Sequence, residues 1–212
     1  MSDWSALAEA ADNLRRLNRA VAGRYVADNE LRQVARAAGE FADRLEAGAL
    51  RSKLQDFATI PWLVEMLDGG EPDIPVGAVL EFDPFSACSG ALNPASLDIE
   101  FRRDGESSII ATAVIDPMFQ GPPERVHGGV IATIIDEAMG AVNRVLGARA
   151  FTVNLTINYR AAAPLGEAVV FRAWLDRVDG RKVWIRAEGH CDDGLFVEAE
   201  GLFIRPADGH II

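Results

Sequence analysis

The chain has 212 residues, of which 49% are hydrophobic and 25% charged, a composition typical of a soluble globular protein with its own core. No run of about 18 apolar residues occurs, so the sequence predicts no membrane span. Residues 1–60 carry nine basic and nine acidic side chains, whereas residues 61–212 carry 12 and 23 and supply the whole net charge of -11. Without a basic stripe, nucleic-acid binding is not expected.

The cysteines and histidines predict neither a disulfide framework nor a metal site. Cys88 and Cys191 are the two cysteines, and the N-terminus lacks a basic region followed by an apolar one, so we expect a cytoplasmic location. The three histidines, His127, His190 and His210, do not have the spacing of metal ligands. We therefore predict no metal and no cofactor.

Residues 5–48 predict two amphipathic helices. Apolar residues recur in each at seven-residue intervals, as Leu7, Leu14 and Val21 and then as Leu31, Ala38 and Leu45. Gly23 is expected to end the first helix, Asp28 or Asn29 to cap the second, and Gly48 to end it. Two interpretations follow: a hairpin that packs on its own domain or on a sister subunit, or a regulatory or docking arm.

The next segment predicts a short helix and then a linker. Within residues 49–67 one apolar side is formed by Leu50, Leu54, Phe57, Trp62 and Met66. From residue 68 to 94 the composition changes to Gly, Pro, Asp and Ser, which is typical of a loop. We therefore divide the chain into a helical N-terminal extension, residues 1–75, and a second domain, residues 76–212.

In the second domain the hydrophobic period changes to two, which predicts strands. The candidates are residues 97–101, 108–115, 150–159, 168–177, 183–191 and 195–204. Asp179-Gly180 and Asp192-Asp193-Gly194 are turn sequences that make the last three strands a meander of hairpins. A long helix lies between the second and third strands. One helix against a mostly antiparallel, curved sheet is an α+β arrangement.

The long helix carries a carboxylate on an otherwise apolar face. From Val130 onward the apolar residues follow a 3.6-residue period, and Gly147 stands where a C-terminal glycine cap is expected. The polar residues Thr133, Asp136, Gly140 and Asn143 share one narrow face. Burying an unpaired charge costs several kcal/mol or more, so Asp136 must be hydrogen-bonded, neutral or catalytic.

The segment around this helix resembles the hotdog-fold acyl-CoA thioesterase superfamily, in particular its phenylacetate-pathway and HGG-motif branch. The similarity rests on His127-Gly128-Gly129, Asp136-Glu137, Gly140 and the strand Asn154–Tyr159, with weaker likeness in Phe85–Gly90 and Asn93–Leu97. It covers roughly residues 80–206. The resemblance implies a hotdog fold, hydrolysis of an acyl thioester, and an active site shared by two subunits.

By position, the resemblance assigns four catalytic residues. Asp136 matches the family's nucleophile or general base, and Gly128 matches the residue whose backbone amide binds the oxyanion. Thr152 matches a strand threonine that helps to place the water, and His127 matches a histidine beside the thioester carbonyl. Simpler interpretations remain for two of them: His127 as an N-terminal loop residue and Thr152 as an ordinary strand former.

Spacing within the helix argues independently for a dimer. Asp136 lies eight residues beyond Gly128, or about 12 Å along the axis, whereas a base and an oxyanion donor must both lie about 3 Å from the reacting centre. Two antiparallel copies across a two-fold axis would bring Asp136 of one beside Gly128 of the other. Alternatively, Gly128 and Gly129 only form a tight turn, and Asp136 is capped by Thr133 or a neighbouring strand.

We therefore predict an acyl-CoA thioesterase that acts as a homodimer or a dimer of dimers, with no nucleic-acid or membrane partner. Gly129, Asn154 and Arg160 are the predicted substrate-binding residues, Arg160 because the phosphates of coenzyme A require a cation. Glu137, about 100° around the helix from Asp136, is expected to be a salt-bridge or solvent residue. The alternative function is a non-catalytic acyl-CoA-binding or sensing protein.

Overall fold

Six antiparallel strands and one long helix form the C-terminal part of the chain. The structure is a computed structural model that describes residues 4–61, 63–64, 73–81 and 83–207. The helices are α1 (Ser5–Gly23), α2 (Asp28–Glu46), α3 (Lys53–Phe57) and α4 (Gly128–Val145), with a 3₁₀ turn at Pro117–Phe119. The strands are β1 (Glu100–Arg103), β2 (Ser108–Val114), β3 (Phe151–Tyr159), β4 (Ala168–Asp179), β5 (Lys182–Cys191) and β6 (Gly194–Ile204). The predicted order of strands and helix is confirmed.

The strands form one sheet in the order β1-β2-β4-β5-β6-β3, with every neighbouring pair antiparallel. The predicted meander of the last three strands is confirmed, because β4 pairs with β5 and β5 with β6. Asp179 pairs with Lys182, so the β4–β5 turn is two residues long, and Gly180 in it has a φ of 58°. A left-handed residue in this position is best supplied by glycine.

Helix α4 packs against the concave face of the sheet and supplies much of the core. Its apolar face is fully enclosed, with Ile134, Ile135, Ala138, Met139 and Val142 all at 0% exposure. Such enclosure explains why the helix is apolar around most of its circumference. The helix ends at the predicted place, since Gly147 adopts a φ of 61° just beyond it.

The first predicted strand is shorter than its alternating pattern suggested. Ile99 and Phe101 are buried, as the period of two requires, but β1 begins at Glu100. Asp98 has a φ of 64°, a left-handed conformation that interrupts an extended strand. Residues 97 and 99 donate their backbone N–H groups to Ala87 and Cys88 instead of joining the sheet.

Helix α1 lies against the second domain through a face that differs from its predicted apolar stripe. Ala11 and Arg15 are its buried residues, whereas Leu14 and Val21 are 43% and 44% exposed. Arg15 donates two hydrogen bonds of 3.0 Å to the carbonyls of Ala91 and Asn93. The contact therefore depends on a charged side chain that satisfies loop carbonyls, a feature that an apolar pattern does not reveal.

Helix α2 forms as the sequence predicted, but its residues are largely exposed within this chain. It buries none of its residues, and Phe41 and Leu45 are 59% and 75% exposed. Its N-cap is Ala27 rather than Asp28 or Asn29. Asp28 therefore begins the first turn, where its negative charge interacts favourably with the helix dipole. Within the described residues α2 therefore contributes nothing to the core, and both packing on a sister subunit and a docking arm stay predictions.

Helix α3 occupies part of the predicted short helix. Ser52 caps it by accepting a hydrogen bond from the N–H of Gln55, and Leu50 and Leu54 are exposed rather than buried. Trp62 and Met66, the other members of the predicted apolar side, lie outside the described residues. The boundary at residue 75 stays a prediction.

Among the helices of the described segments, none is long and apolar enough to cross a membrane. The same segments contain no group of three or more His, Cys, Asp or Glu side chains arranged to hold a metal ion.

Candidate active site

Asp136 projects from the middle of α4 toward the edge strand β3, where Thr152 meets it. The Thr152 hydroxyl donates a hydrogen bond of 2.9 Å to Oδ1 of Asp136. The carboxylate is half-buried, while Thr152 is exposed. Asp136 is therefore capped from a neighbouring strand, one of the two caps that the simpler interpretation offered; Thr133 is not its partner, because the Thr133 hydroxyl donates to the Gly129 carbonyl instead. The catalytic roles of Asp136 and Thr152 stay predictions.

A β-bulge sets the position of Thr152. The register of β3 against β6 shifts between Thr152 and Asn154, which leaves Val153 as the extra residue. A bulge re-aims the side chains beside it and bends the strand. Thr152 can thereby point at the helix although its strand lies at the edge of the sheet. Neither the bulge nor its consequence is visible in the hydrophobic pattern.

His127 caps the N-terminus of α4 with its own side chain. Its Nδ1 atom accepts a hydrogen bond of 2.9 Å from the backbone N–H of Gly129. In the neutral form the proton must then be on Nε2, so the outer nitrogen of the ring is a donor. The interpretation of His127 as a helix-terminus residue is supported, and this position still leaves Nε2 available to a substrate.

The backbone N–H of Gly128 points out of the first turn of α4 without an acceptor among the described residues. The following amides are satisfied, because Gly129 donates to His127 Nδ1 and Val130 donates to the His127 carbonyl. An unpaired amide at a helix N-terminus is a strong site for a negatively charged oxygen. The Gly128 amide is therefore free to accept the role of an oxyanion donor, which stays a prediction.

Tyr159, which the sequence analysis placed in the motif without a role, packs on this turn. Its hydroxyl donates a hydrogen bond of 2.7 Å to the Gly128 carbonyl. A Cβ atom added at Gly128 would stand 3.3 Å from the tyrosine ring, closer than most Cβ contacts. Glycine at position 128 thus leaves room for Tyr159 as well as for an incoming carbonyl group.

Glu137 is not the solvent or salt-bridge residue that we predicted. Its carboxylate accepts hydrogen bonds from the hydroxyls of Ser86 and Ser89, at 2.6 Å for Ser89. Ser86 Oγ also accepts from the backbone N–H groups of Cys88 and Ser89, so the loop folds around this one oxygen. The Glu137 side chain therefore connects the loop before β1 to the central helix at the position directly after Asp136.

Cys88 lies behind Glu137 with 0% exposure. Burial, and then the negative charges of Glu137 and Asp136, raise the pKa of its thiol far above the ordinary range. A thiol with such a pKa stays protonated at neutral pH and is a poor nucleophile. Cys88 is fully buried and its thiol is disfavoured as a nucleophile, so the proposed reaction does not use it.

The predicted substrate-binding residues occupy separate places. Asn154 is exposed and accepts a 3.3 Å hydrogen bond from Thr156. Arg160 is about half-exposed and forms an ion pair with Glu198, so a carboxylate already partly neutralises its charge. Gly129 lies in the first helical turn. Their assignment to substrate stays a prediction.

The structure brings the predicted catalytic residues together as two half-sites. Asp136 and Thr152 form one half at mid-helix, and His127 with Gly128 forms the other at the helix N-terminus. Helix α4 is continuous from Gly128 to Val145, so it does not fold back to join them. The eight residues between Gly128 and Asp136 therefore correspond to about 12 Å along a continuous helix axis, as predicted.

Comparison with known proteins agrees with the fold and the motifs. The family model described as "Thioesterase superfamily" matches residues 124–198, which include α4 and β3 to β5. A crystal structure of a thioesterase superfamily protein is similar to this chain with a TM-score of 0.73 and 27% identity, over 95% of this chain and 92% of that one. The hotdog fold is confirmed, and the likeness extends into the N-terminal helices.

Curated relatives match a shorter stretch. Acyl-coenzyme A thioesterase THEM4 of Xenopus laevis is 36% identical over 107 residues, which is 50% of this chain and 48% of that protein. The Mus musculus THEM4 is 41% identical over 88 residues, 41% of this chain and 38% of that protein. The chain thus spans about half the length, or less, of these relatives.

Proposed function

We propose that this chain is an acyl-CoA thioesterase that releases a free acid and coenzyme A, because residues 124–198 match the thioesterase superfamily model and the fold resembles that of a protein of this superfamily. Relatives named acyl-coenzyme A thioesterases support this substrate class. The observation that carries the proposal is the hydrogen bond from Thr152 to Asp136, because it orients a half-buried carboxylate on the central helix.

Asp136 acts as the general base in the proposed reaction. Thr152 occupies Oδ1, which leaves Oδ2 to accept a proton from a water molecule. The water oxygen bonds to the thioester carbonyl carbon, and the carbonyl oxygen takes the negative charge. When this intermediate collapses, the carbon–sulfur bond breaks, and the sulfur leaves with the electron pair and takes up the proton from Asp136.

The Gly128 amide stabilises the negative oxygen of that intermediate. It has no acceptor within the described part of the chain, and the helix terminus adds a partial positive charge. The Nε2–H of His127 offers a second donor beside it, because Nδ1 is held by Gly129. Losing one donor of this kind typically costs a factor of about 10² to 10³ in rate.

The complete site in this proposal belongs to a homodimer. One chain holds Asp136 and Gly128 at about 12 Å along a continuous helix, which is too far for one reacting carbon. A two-fold axis beside β3 would place Asp136 of one chain opposite Gly128 of the other. Strand β3 lies at the sheet edge with residues exposed on both faces, which suits pairing with a second copy.

We expect Asp136→Asn to remain folded and to lose kcat/KM for acyl-CoA by a factor of about 10² to 10⁴, because the base is removed while the shape is kept. The measurement is release of free thiol from a panel of acyl-CoAs of different chain length, with circular dichroism to verify folding. The matched control is Asp193→Asn, which changes an exposed acid in the β5–β6 turn and is expected to leave hydrolysis unchanged.

Two results would contradict the proposal. A folded Asp136→Asn protein with near-normal hydrolysis would show that the carboxylate is not the base. A wild-type protein that binds acyl-CoA and returns it unchanged across the whole panel would instead support the non-catalytic binding function.

A further inference from the structure

A cleft outside the candidate active site lies between the C-terminal half of α1 and the segment before α4. Its volume is about 440 Å³, within the range of about 300–1,000 Å³ that small-molecule sites occupy. Three arginines and one aspartate line it together with three small residues: Arg16, Arg19, Arg24, Asp116, Ala20, Gly23 and Pro117.

The three arginines converge because of helical spacing. Arg16 and Arg19 are three residues apart on α1 and share one face of the helix, while Arg24 follows directly after the helix ends at Gly23. Arg19 is half-buried where it lines the cleft, whereas Arg16 and Arg24 are exposed. Ala20 and Gly23 lie on the same face and leave space between the charges.

The positive charge of the cleft is not neutralised by the chain itself. Of the ion pairs within the described residues, none involves Arg16, Arg19 or Arg24. The one lining carboxylate, Asp116, accepts a hydrogen bond of 2.9 Å from the N–H of Met118. Three arginines against one aspartate leave two net positive charges in a protein whose total charge is -11.

The far wall of the cleft belongs to the same segment as the HGG turn. Asp116 and Pro117 lead into the 3₁₀ turn Pro117–Phe119, and the Phe119 carbonyl accepts a 2.9 Å hydrogen bond from the N–H of His127. One short segment therefore connects the wall of the cleft to the half-site at the start of α4.

We infer that this cleft binds the phosphorylated adenosine of coenzyme A while the thioester lies at the active site. The inference rests on the proposed function. The nucleotide of coenzyme A carries several phosphate groups, and arginine pairs with phosphate through two parallel hydrogen bonds. The predicted alternative, Arg160, already pairs with Glu198, whereas the cleft arginines have no carboxylate partner within the described residues.

Binding of the nucleotide alone tests the cleft independently of hydrolysis. In the full-length protein we expect adenosine 3′,5′-bisphosphate to bind in a salt-dependent manner, and the double variant Arg19→Ala/Arg24→Ala to bind it at least about tenfold more weakly, or 1.4 kcal/mol. Isothermal calorimetry measures both dissociation constants. Arg36→Ala, on the exposed helix α2, is the matched control and is expected to bind as the wild type does.

Kinetics with truncated substrates separate a nucleotide site from a structural role. For the double variant we expect the KM for acyl-CoA to rise about tenfold with kcat unchanged, and the KM for acyl-pantetheine, which lacks the nucleotide, to stay the same. A rise for both substrates would mean that the arginines only maintain the fold and would overturn the inference.

Three other results would also overturn the nucleotide assignment. In the first, the wild-type protein does not bind adenosine 3′,5′-bisphosphate. In the second, inorganic phosphate binds as tightly as the nucleotide. In the third, the KM for acyl-CoA rises in Arg160→Ala but not in the double variant. If the protein hydrolyses no acyl-CoA but the nucleotide still binds through the arginines, the proposed function is wrong and the assignment of the cleft as a nucleotide site is still supported.

Discussion

Two neighbouring acids on α4 have different surroundings although they are adjacent in sequence. Asp136 points to β3 and receives one hydrogen bond from Thr152, whereas Glu137 points to the loop before β1 and receives hydrogen bonds from Ser86 and Ser89. A residue step of about 100° around the helix separates the two directions. Asp136 therefore keeps an oxygen for a reactant, while Glu137 is occupied in holding the loop.

The buried thiol of Cys88 predicts a loss of stability at alkaline pH. Its pKa is raised in the folded protein, whereas the pKa of a cysteine in the unfolded chain is about 8.5. Below that pH both states bind the proton; above it the unfolded chain releases the proton first and is favoured. We expect the free energy of unfolding to fall above about pH 8.5, by up to about 1.4 kcal/mol per pH unit from this group.

Urea unfolding at pH 7.5 to 10 measures this effect. Other groups also titrate in this range, so the relevant quantity is the difference between the wild type and Cys88→Ala, which lacks the thiol. Cys191→Ala retains Cys88 and is expected to keep the full pH dependence. Equal slopes for the wild type and Cys88→Ala would contradict the assignment.

At the scale of elements, the two N-terminal helices have similar patterns and different environments. Helix α1 reaches the second domain through Arg15 and through Asn18, whose amide donates to the Pro94 carbonyl at 3.4 Å. Helix α2 makes no comparable contact among the described residues and buries none of its side chains. An amphipathic pattern therefore indicates a helix in both cases, but it does not specify the surface that covers its apolar side.

We expect Arg15→Met to weaken the attachment of α1. The substitution keeps a long side chain but removes two charge-assisted hydrogen bonds to the Ala91 and Asn93 carbonyls, at a cost of about 2 kcal/mol in the free energy of unfolding. Urea unfolding measures the loss, and limited proteolysis is expected to cut within residues 12–24 sooner.

Arg32→Met on the exposed helix α2 is the control for this substitution, because within the described part of the chain the ion pair of Arg32 is with the exposed Asp28 at 3.9 Å. It should change the free energy of unfolding by a few tenths of a kcal/mol at most. An Arg15→Met protein as stable and as protease-resistant as the control would show that α1 is held by other contacts.

At the scale of the whole molecule, the exposed edge of the sheet is the surface at which two copies would pair in the proposed dimer. Strand β3 is nine residues long, pairs on one side only with β6, and exposes Phe151 and Val153 at 49% and 60%. A long edge strand with exposed apolar residues is a template for pairing with another chain. In the proposed dimer this edge adjoins Thr152, so assembly and catalysis depend on the same strand.

We expect Val153→Asp to produce folded monomers with little or no hydrolytic activity, because the charge lies beside the pairing edge and separates the two half-sites. Analytical ultracentrifugation gives the oligomeric state, and the free-thiol assay gives the activity. Val114→Asp, at an equally exposed position (64%) near the opposite side of the sheet, is expected to remain dimeric and active. Wild-type protein that is monomeric and fully active would refute the shared site.

The sequence by itself determined the elements of the second domain and the residues of the motif. Hydrophobic periods of two and 3.6 located the strands and α4, and glycines at turns located most of their ends, because these signals depend on local backbone geometry and on which face is buried. The resemblance singled out Asp136 and Thr152 separately, and a cap on Asp136 from some neighbouring strand was expected, but the identity of the partner was not, since the bulge that aims Thr152 leaves no trace in the pattern.

Only the tertiary structure decided what each face contacts. It showed that Glu137 binds the serines of a loop about fifty residues earlier and that Arg15 rather than the leucine stripe attaches α1. It also showed that two arginines of α1, and Arg24 just after it, line a cleft with the segment before α4. These contacts join residues distant in sequence. A helical pattern specifies where a side chain lies around its own axis, whereas its partner depends on how the whole chain folds back on itself.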